Sequence, residues 1–210
     1  MRTLALDVHE LRSAPLHVLN VYLVGDVLVD SGTPSAHRRI VRELAAHELA
    51  AHVVTHAHAD HYGSSHAVCE TLDLPLWAGE RDADAVERGT VVPSPTRIGA
   101  LLRRAPSLHG HPVARRLREG DTVGAGFSVL DVPGHSPGHI ALWREADRTL
   151  IVGDVFFNLP RLGPPPRVLT VDPDANRASM RRLAELRPAL VLFGHGPPLR
   201  DPERLARAAL

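Results

Sequence analysis

Residues 55–61 read Thr55-His56-Ala57-His58-Ala59-Asp60-His61, which places three imidazoles and a carboxylate within six consecutive positions. Imidazole is the commonest metal-binding side chain, and a carboxylate is its usual companion on a divalent cation. An apolar run, Ala51-His52-Val53-Val54, precedes the cluster, and a helix-like run beginning at Tyr62 follows it. The pattern therefore predicts a loop leaving the C-terminal end of a buried strand, where α/β proteins place their sites. A solvated polar loop can also hold histidine, but even a chain with 14 histidines rarely gathers them this way by chance.

Downstream the chain supplies more of the same chemistry. His135 lies in Pro133-Gly134-His135-Ser136-Pro137-Gly138-His139, Asp154 in Val152-Gly153-Asp154-Val155, and His195 in Phe193-Gly194-His195-Gly196. Each follows an apolar, strand-like run: Ser128–Val132, Leu150–Val152 and Ala189–Phe193. Each also has a glycine immediately before it, which suits a tight turn where backbone must approach a ligand closely. Four loops thus offer five imidazoles and two carboxylates, enough for two metals with open positions.

The order His-x-His-x-Asp-His, then His, Asp and His, resembles the metallo-β-lactamase-fold hydrolase superfamily, in particular its glyoxalase II-like and lactonase-like branches. Asn20-Val21-Tyr22-Leu23-Val24 followed by Val27-Leu28-Val29-Asp30-Ser31-Gly32-Thr33 resembles the first hairpin of that family, and essentially the whole chain fits. The resemblance implies an α/β fold, a four-layer αβ/βα sandwich with the metals at one edge. It implies one metal on His56, His58 and His135 and a second on Asp60, His61 and His195, with Asp154 bridging. It also makes Asp60 both a ligand and the proton shuttle. The cofactor expected is a pair of divalent ions, zinc first, with iron or manganese as alternatives.

Such a pair outweighs the negative charge of Asp60, Asp154 and a bridging hydroxide, and the residual positive charge favours an anionic transition state. A metal lowers the pKa of its bound water to roughly 7, so hydroxide is available without a strong protein base. The expected reaction is attack of that hydroxide on an ester, lactone or thioester carbonyl of a small molecule. Asp30 ends a strand near the first metal loop and is expected to orient a ligating imidazole, because such rings donate their free N–H to a carboxylate or carbonyl. Thr55 is expected to brace the same loop. Tyr62, Asn158 and Arg161 follow metal loops and are candidates for substrate contact through a phenol, an amide or a guanidinium.

Composition bounds the rest. A chain of 210 residues, 44% hydrophobic, can bury one core and is read as a single domain over 1–210. Net charge is zero, which gives no electrostatic case for nucleic acid or a membrane surface. All 24 basic residues are arginine, so lysine-based catalysis is excluded. Cys69 is the single cysteine, which excludes an intrachain disulfide, and it reads as an ordinary helix position. Met1–Glu10 has no long apolar core and no run approaches a membrane span, so the cytoplasm is the expected location.

An α/β rhythm runs along the chain. Thr3–His9, His17–Val24 and Asp26–Asp30 read as strands, the last two joined by a short turn at Gly25-Asp26. Pro34 opens an amphipathic helix to about Glu48, and a second helix runs from about Tyr62 to Leu72. Thr122–Val132, His139–Arg144 and Thr149–Val152 read as an antiparallel meander with a turn at Ala146-Asp147. Helices over Pro173–Leu186, capped by Asp172, and Pro202–Ala209 complete it. Two proline-rich stretches, Arg88–Arg118 with a helix-like Arg97–Arg104, and Asn158–Arg167, read as loops outside the core that border the site. His139 reads as the start of a strand with a structural role. His9, His17, His37, His47, His66, His109 and His111 have no partner at metal spacing in the sequence and read as surface or core residues.

Four other readings fit the residues less well. Gly134-His135-Ser136-Pro137-Gly138 matches the serine-hydrolase elbow in form, but Pro137 lacks the N–H that the oxyanion hole needs. A mononuclear-iron persulfide dioxygenase shares the first motif, but the arginine-containing motif associated with it is replaced by Val155-Phe156-Phe157-Asn158-Leu159-Pro160. Glyoxalase II proper is disfavoured by the 15 residues after His195 and the absence of lysine. A non-catalytic metal-holding module is disfavoured because all seven ligands are present.

Overall fold

Short runs of valine, leucine and isoleucine, punctuated by glycine, proline and aspartate, set the strand pattern. The computed structural model describes residues 1–11, 17–96 and 108–210. A seven-stranded sheet carries β1 (Arg2–Ala5), β2 (Val8–Glu10), β3 (Tyr22–Val24), β4 (Val27–Val29), β5 (Ala51–Val54), β6 (Leu76–Gly79) and β7 (Val113–Leu117) in that order. Strands β1 to β4 are antiparallel, and β4 to β7 run parallel. A second sheet holds β8 (Thr122–Val123), β9 (Phe127–Asp131), β10 (Ile140–Arg144) and β11 (Thr149–Ile151). After a small hairpin of β12 (Phe157–Asn158) and β13 (Leu162–Gly163), β14 (Leu190–Leu192) joins it beside β11.

The two sheets face each other across one core. Val24, Val29 and Val53 from the first meet Val129, Leu142, Ile151 and Leu192 from the second, all essentially inaccessible. Each such side chain contributes about 1.5–3 kcal/mol by leaving water. Helices cover the outer faces. Ile40 and Leu44 of α1 (His37–Leu44) and Val68 of α3 (Ser65–Leu72) pack on the first sheet. So do Tyr62 of α2 (Ala59–Tyr62) and Val86 of α4 (Glu80–Glu87). Met180 and Leu183 of α5 (Pro173–Glu185) and Leu205 of α6 (Pro202–Ala208) cover the second. The result is the expected four-layer αβ/βα sandwich. Asp172 caps α5 by accepting from the Asp174 and Ala175 N–H groups at 3.0 Å each, worth about 1 kcal/mol.

Topology explains why the ligand loops share an end. Parallel β4 and β5 deliver Asp30 and residues 55–61 to the same edge. In the second sheet β11 and β14 are parallel, and β9, two antiparallel steps from β11, points the same way. His135, Asp154 and His195 therefore emerge together.

Several boundaries differ from the sequence reading. The expected strand Thr3–His9 folds back on itself at Leu6-Asp7, where Asp7 adopts a φ of 53°. Its alternating pattern continues through the turn and hides it. His17–Val24 is a strand only from Tyr22, because the Asn20 N–H donates to the Gly194 carbonyl rather than to a neighbouring strand, and the Asn20 side-chain amide adds bonds to the Phe193 and Gly196 carbonyls. The expected helix Pro34–Glu48 is confined to His37–Leu44, and Thr33–Ala36 forms a turn. The helix expected from Tyr62 starts at Ala59 and breaks at Gly63, whose Cα lies so close to the Ala59 carbonyl and the Pro34 ring that a side chain would clash with both. Thr122–Val132 is interrupted by the turn Gly124–Gly126. Strand β6 and helix α4 lie where the reading assigned nothing. Strand β7 runs inside the stretch 88–118 read as loop, with Leu117 fully buried. The helix-like Arg97–Arg104 lies outside the described residues.

Candidate metal centre

The seven candidate ligands converge at the edge of the sandwich. His56, His58 and His135 form one group, Asp60, His61 and His195 another, and His56, His61 and Asp154 a third, with the ligand atoms of each group within 4.8 Å of one another. Asp154 touches both outer groups. Its Oδ2 lies 3.4 Å from His135 Nε2 and 3.2 Å from His195 Nε2, and its Oδ1 lies 3.3 Å from His61 Nε2. His195 Nε2 is 3.3 Å from Asp60 Oδ2, and His56 Nε2 is 3.1 Å from His58 Nδ1. His61 Nε2, His135 Nε2 and Asp154 Oδ1 are buried without a hydrogen-bond partner. Polar atoms buried this way are costly unless something further satisfies them. A cation among these nitrogens and carboxylates would do so, and the donor set fits zinc, iron or manganese.

Electrostatics divides the histidines. Burial holds His56, His58 and His135 below the ordinary imidazole value, leaving their lone pairs free at neutral pH. Burial also opposes charge on His195, but Asp154 and Asp60 overcome it and raise that ring to about 10. Burial pushes the Asp60 carboxyl up, yet His61 and His195 bring it down to about 2.

Behind the ligands stands a layer of positioning groups. His61 Nδ1 bonds Asp30 Oδ2 at 2.8 Å, and Asp30 also accepts from the Thr55 N–H at 2.8 Å and from its hydroxyl at 2.9 Å. His195 Nδ1 meets the Val18 carbonyl at 2.5 Å. Two further residues belong here that the sequence reading did not place in this role. Asp82, on the first turn of α4 and buried, accepts from the Ala57 N–H at 2.9 Å, the Ser136 hydroxyl at 2.5 Å and the Gly138 N–H at 2.7 Å. It ties the first metal loop to the second. His139 Nε2 accepts the Asp154 N–H at 3.2 Å. Gly194 lets the backbone approach: a Cβ there would fall 2.1 Å from Asp154 Oδ1 and 2.6 Å from His61 Cε1.

A cavity of about 490 Å³ opens over the cluster. His58, Asp60, His135, Asp154 and His195 reach its floor, and Val91, Val92, Leu108, Phe157, Val168 and Leu169 supply an apolar wall. Of the two irregular stretches, only the first borders the site, through Gly89–Ser94 and Leu108. None of the described lining comes from 158–167, although its flanks Phe157, Val168 and Leu169 contribute and the Ser94 hydroxyl donates to the Val168 carbonyl. The three candidates for substrate contact lie elsewhere. Tyr62 is buried with its hydroxyl on the Thr90 carbonyl at 2.7 Å, bracing the wall from behind. Asn158 donates to the Pro197 carbonyl at 2.7 Å, and its N–H holds the His195 carbonyl at 2.9 Å. Arg161 is exposed and is not part of the wall.

Fold and cluster together define a class: an αβ/βα sandwich with a histidine- and aspartate-rich metal centre at one edge. Residues 15–195 match the model of the metallo-beta-lactamase superfamily, and the chain belongs to that superfamily. It is 28% identical to the probable metallo-hydrolase YflN of Bacillus subtilis, over 88% of this chain and 83% of that one. A hydroxyacylglutathione hydrolase of Bdellovibrio bacteriovorus is 32% identical, over 53% of this chain and 36% of its own. The crystal structure of TTHA1623 in a di-iron-bound form superposes with a TM-score of 0.68 at 32% identity, covering 93% of this chain and 95% of that one. The chain is a metal-dependent hydrolase.

Proposed function

We propose that the chain, acting as one domain in the cytoplasm, is a dinuclear hydrolase that cleaves an ester, lactone or thioester bond in a small molecule with an apolar body. The observation that carries this reading is the convergence of six candidate ligand side chains around a seventh, Asp154, beneath a largely apolar cavity whose floor five of the seven reach. His56, His58 and His135 would hold one cation and Asp60, His61 and His195 the other, with Asp154 shared. When bound, such a pair supplies Lewis acidity and a hydroxide nucleophile at neutral pH. Zinc suits the donor set, and iron is the first alternative because TTHA1623 holds two.

The chain's own residues supply the rest. Asp60 is the most accessible of the candidate carboxylates, 40% exposed at the cavity floor, and it is anionic at neutral pH. It can therefore accept a hydrogen bond that orients the nucleophile, and the family resemblance adds to it the transfer of a proton to the leaving group. The apolar wall excludes water from an acyl or alkyl chain.

A panel of neutral esters, lactones and thioesters, assayed with and without a chelator, tests the reading. Turnover of substrates with apolar acyl groups, abolished by chelation and restored by zinc, is the expected result. No turnover of any member would favour a metal-holding module, and oxygen consumption with a persulfide would favour the dioxygenase.

A further inference from the structure

A second group of metal-binding side chains lies away from the central cluster. His66 and Glu70 stand four residues apart on α3, so both project from one face of the helix. His111 reaches them from the segment that leads into β7. His111 Nδ1 lies 3.4 Å from His66 Nδ1 and 3.7 Å from Glu70 Oε1, and the ligand atoms of all three fall within 4.8 Å of one another. Two ring nitrogens at 3.4 Å stand beyond good hydrogen-bond range. They match the edge of a tetrahedron, which is about 3.3 Å long for donors 2.0–2.1 Å from zinc. His109 stacks on His66 with ring centroids 5.6 Å apart.

We propose that His66, Glu70 and His111 form a third cation site, for a borderline divalent ion such as zinc, which clamps the chain entering β7 onto α3. Glu70, 64% exposed, leaves the site open to ions from solvent. Its position gives it a role. Leu108, three residues before His111, lines the central cavity, and Gly110 is pressed against the Glu87 carbonyl and the Gly89 backbone. A cation on His111 would hold this part of the cavity wall at its base.

Zinc titration of the metal-free full chain, by calorimetry, tests the site against His66→Ala and Glu70→Gln. Wild type is expected to take up one equivalent more than His66→Ala, and Glu70→Gln is expected to weaken that equivalent at least tenfold. The readout is a difference between proteins, so it stands whatever the central cluster holds. Equal stoichiometry in all three would overturn the proposal. Nitrogen NMR of the wild-type imidazoles gives a second reading that needs no variant. The His66 and His111 Nδ1 resonances should move with the last equivalent, and unmoved resonances would overturn the site.

Discussion

Asp30 holds His61, with Oδ2 and Nδ1 at 2.8 Å, while the Thr55 N–H and hydroxyl hold Asp30 in turn. The contact fixes the tautomer that turns His61 Nε2 toward Asp154. It also explains why an aspartate sits at φ 60°, a left-handed conformation that few residues with a side chain adopt.

Replacing this orienting group should loosen the metal without emptying the site. Asp30→Ala is expected to lower metal affinity about 10–100-fold. Competition with a chromophoric chelator measures it, and an unchanged affinity would leave Asp30 a turn residue only.

Asp82 should matter more to the fold than an aspartate in the first turn of a helix ordinarily does. Asp82→Ala strands two buried N–H groups and the Ser136 hydroxyl, each costing about 1–3 kcal/mol. A loss of about 3 kcal/mol or more in urea denaturation is expected, together with lower turnover. A loss below about 0.5 kcal/mol, the range of ordinary surface changes, would show that the two loops do not need this tie.

Gly194→Ala separates folding from metal binding. The added methyl would meet Asp154 Oδ1 and His61 Cε1, so the carboxylate must move while β14 stays in place. We expect a native circular dichroism spectrum with metal content and turnover both lost. Wild-type metal content in this variant would contradict the geometry.

Burial lowers His52 to about 4 in the folded chain, against 6.5 as its ordinary value. Between those pH values the unfolded chain binds a proton that the folded chain refuses, so stability falls as pH drops from 6.5 toward 4. The full effect is on the order of 3 kcal/mol. His139, lowered to about 3 by burial, acts in the same direction. His52→Gln should therefore make the metal-free protein less acid-sensitive than wild type in denaturation curves at pH 7 and pH 5. Parallel pH profiles would show that His52 titrates normally.

Much of the cluster was legible because His56, His58, Asp60 and His61 lie in one stretch, and each later ligand follows a glycine and an apolar run. Asp82 was not, because its partners stand 25 to 56 residues away and nothing local marks a helix aspartate as their acceptor. Strand β7 escaped because Val113-Ala114-Arg115-Arg116-Leu117 sets two arginines side by side, without the alternation that marks an edge strand, directly after Pro112. Tyr62 and Asn158 follow metal loops in sequence, but the direction of a side chain depends on backbone conformation, which sends both into neighbouring carbonyls. His66 and His111 meet across 45 residues, a pairing that only the fold creates.

The most direct test is a reconstitution titration. Metal-free His111→Ala, which leaves the central cluster intact, is supplied with zinc in steps while hydrolysis of an apolar ester is followed. The account predicts activity that rises to a plateau at two equivalents per chain. Full activity at one equivalent, or turnover indifferent to metal, would contradict it.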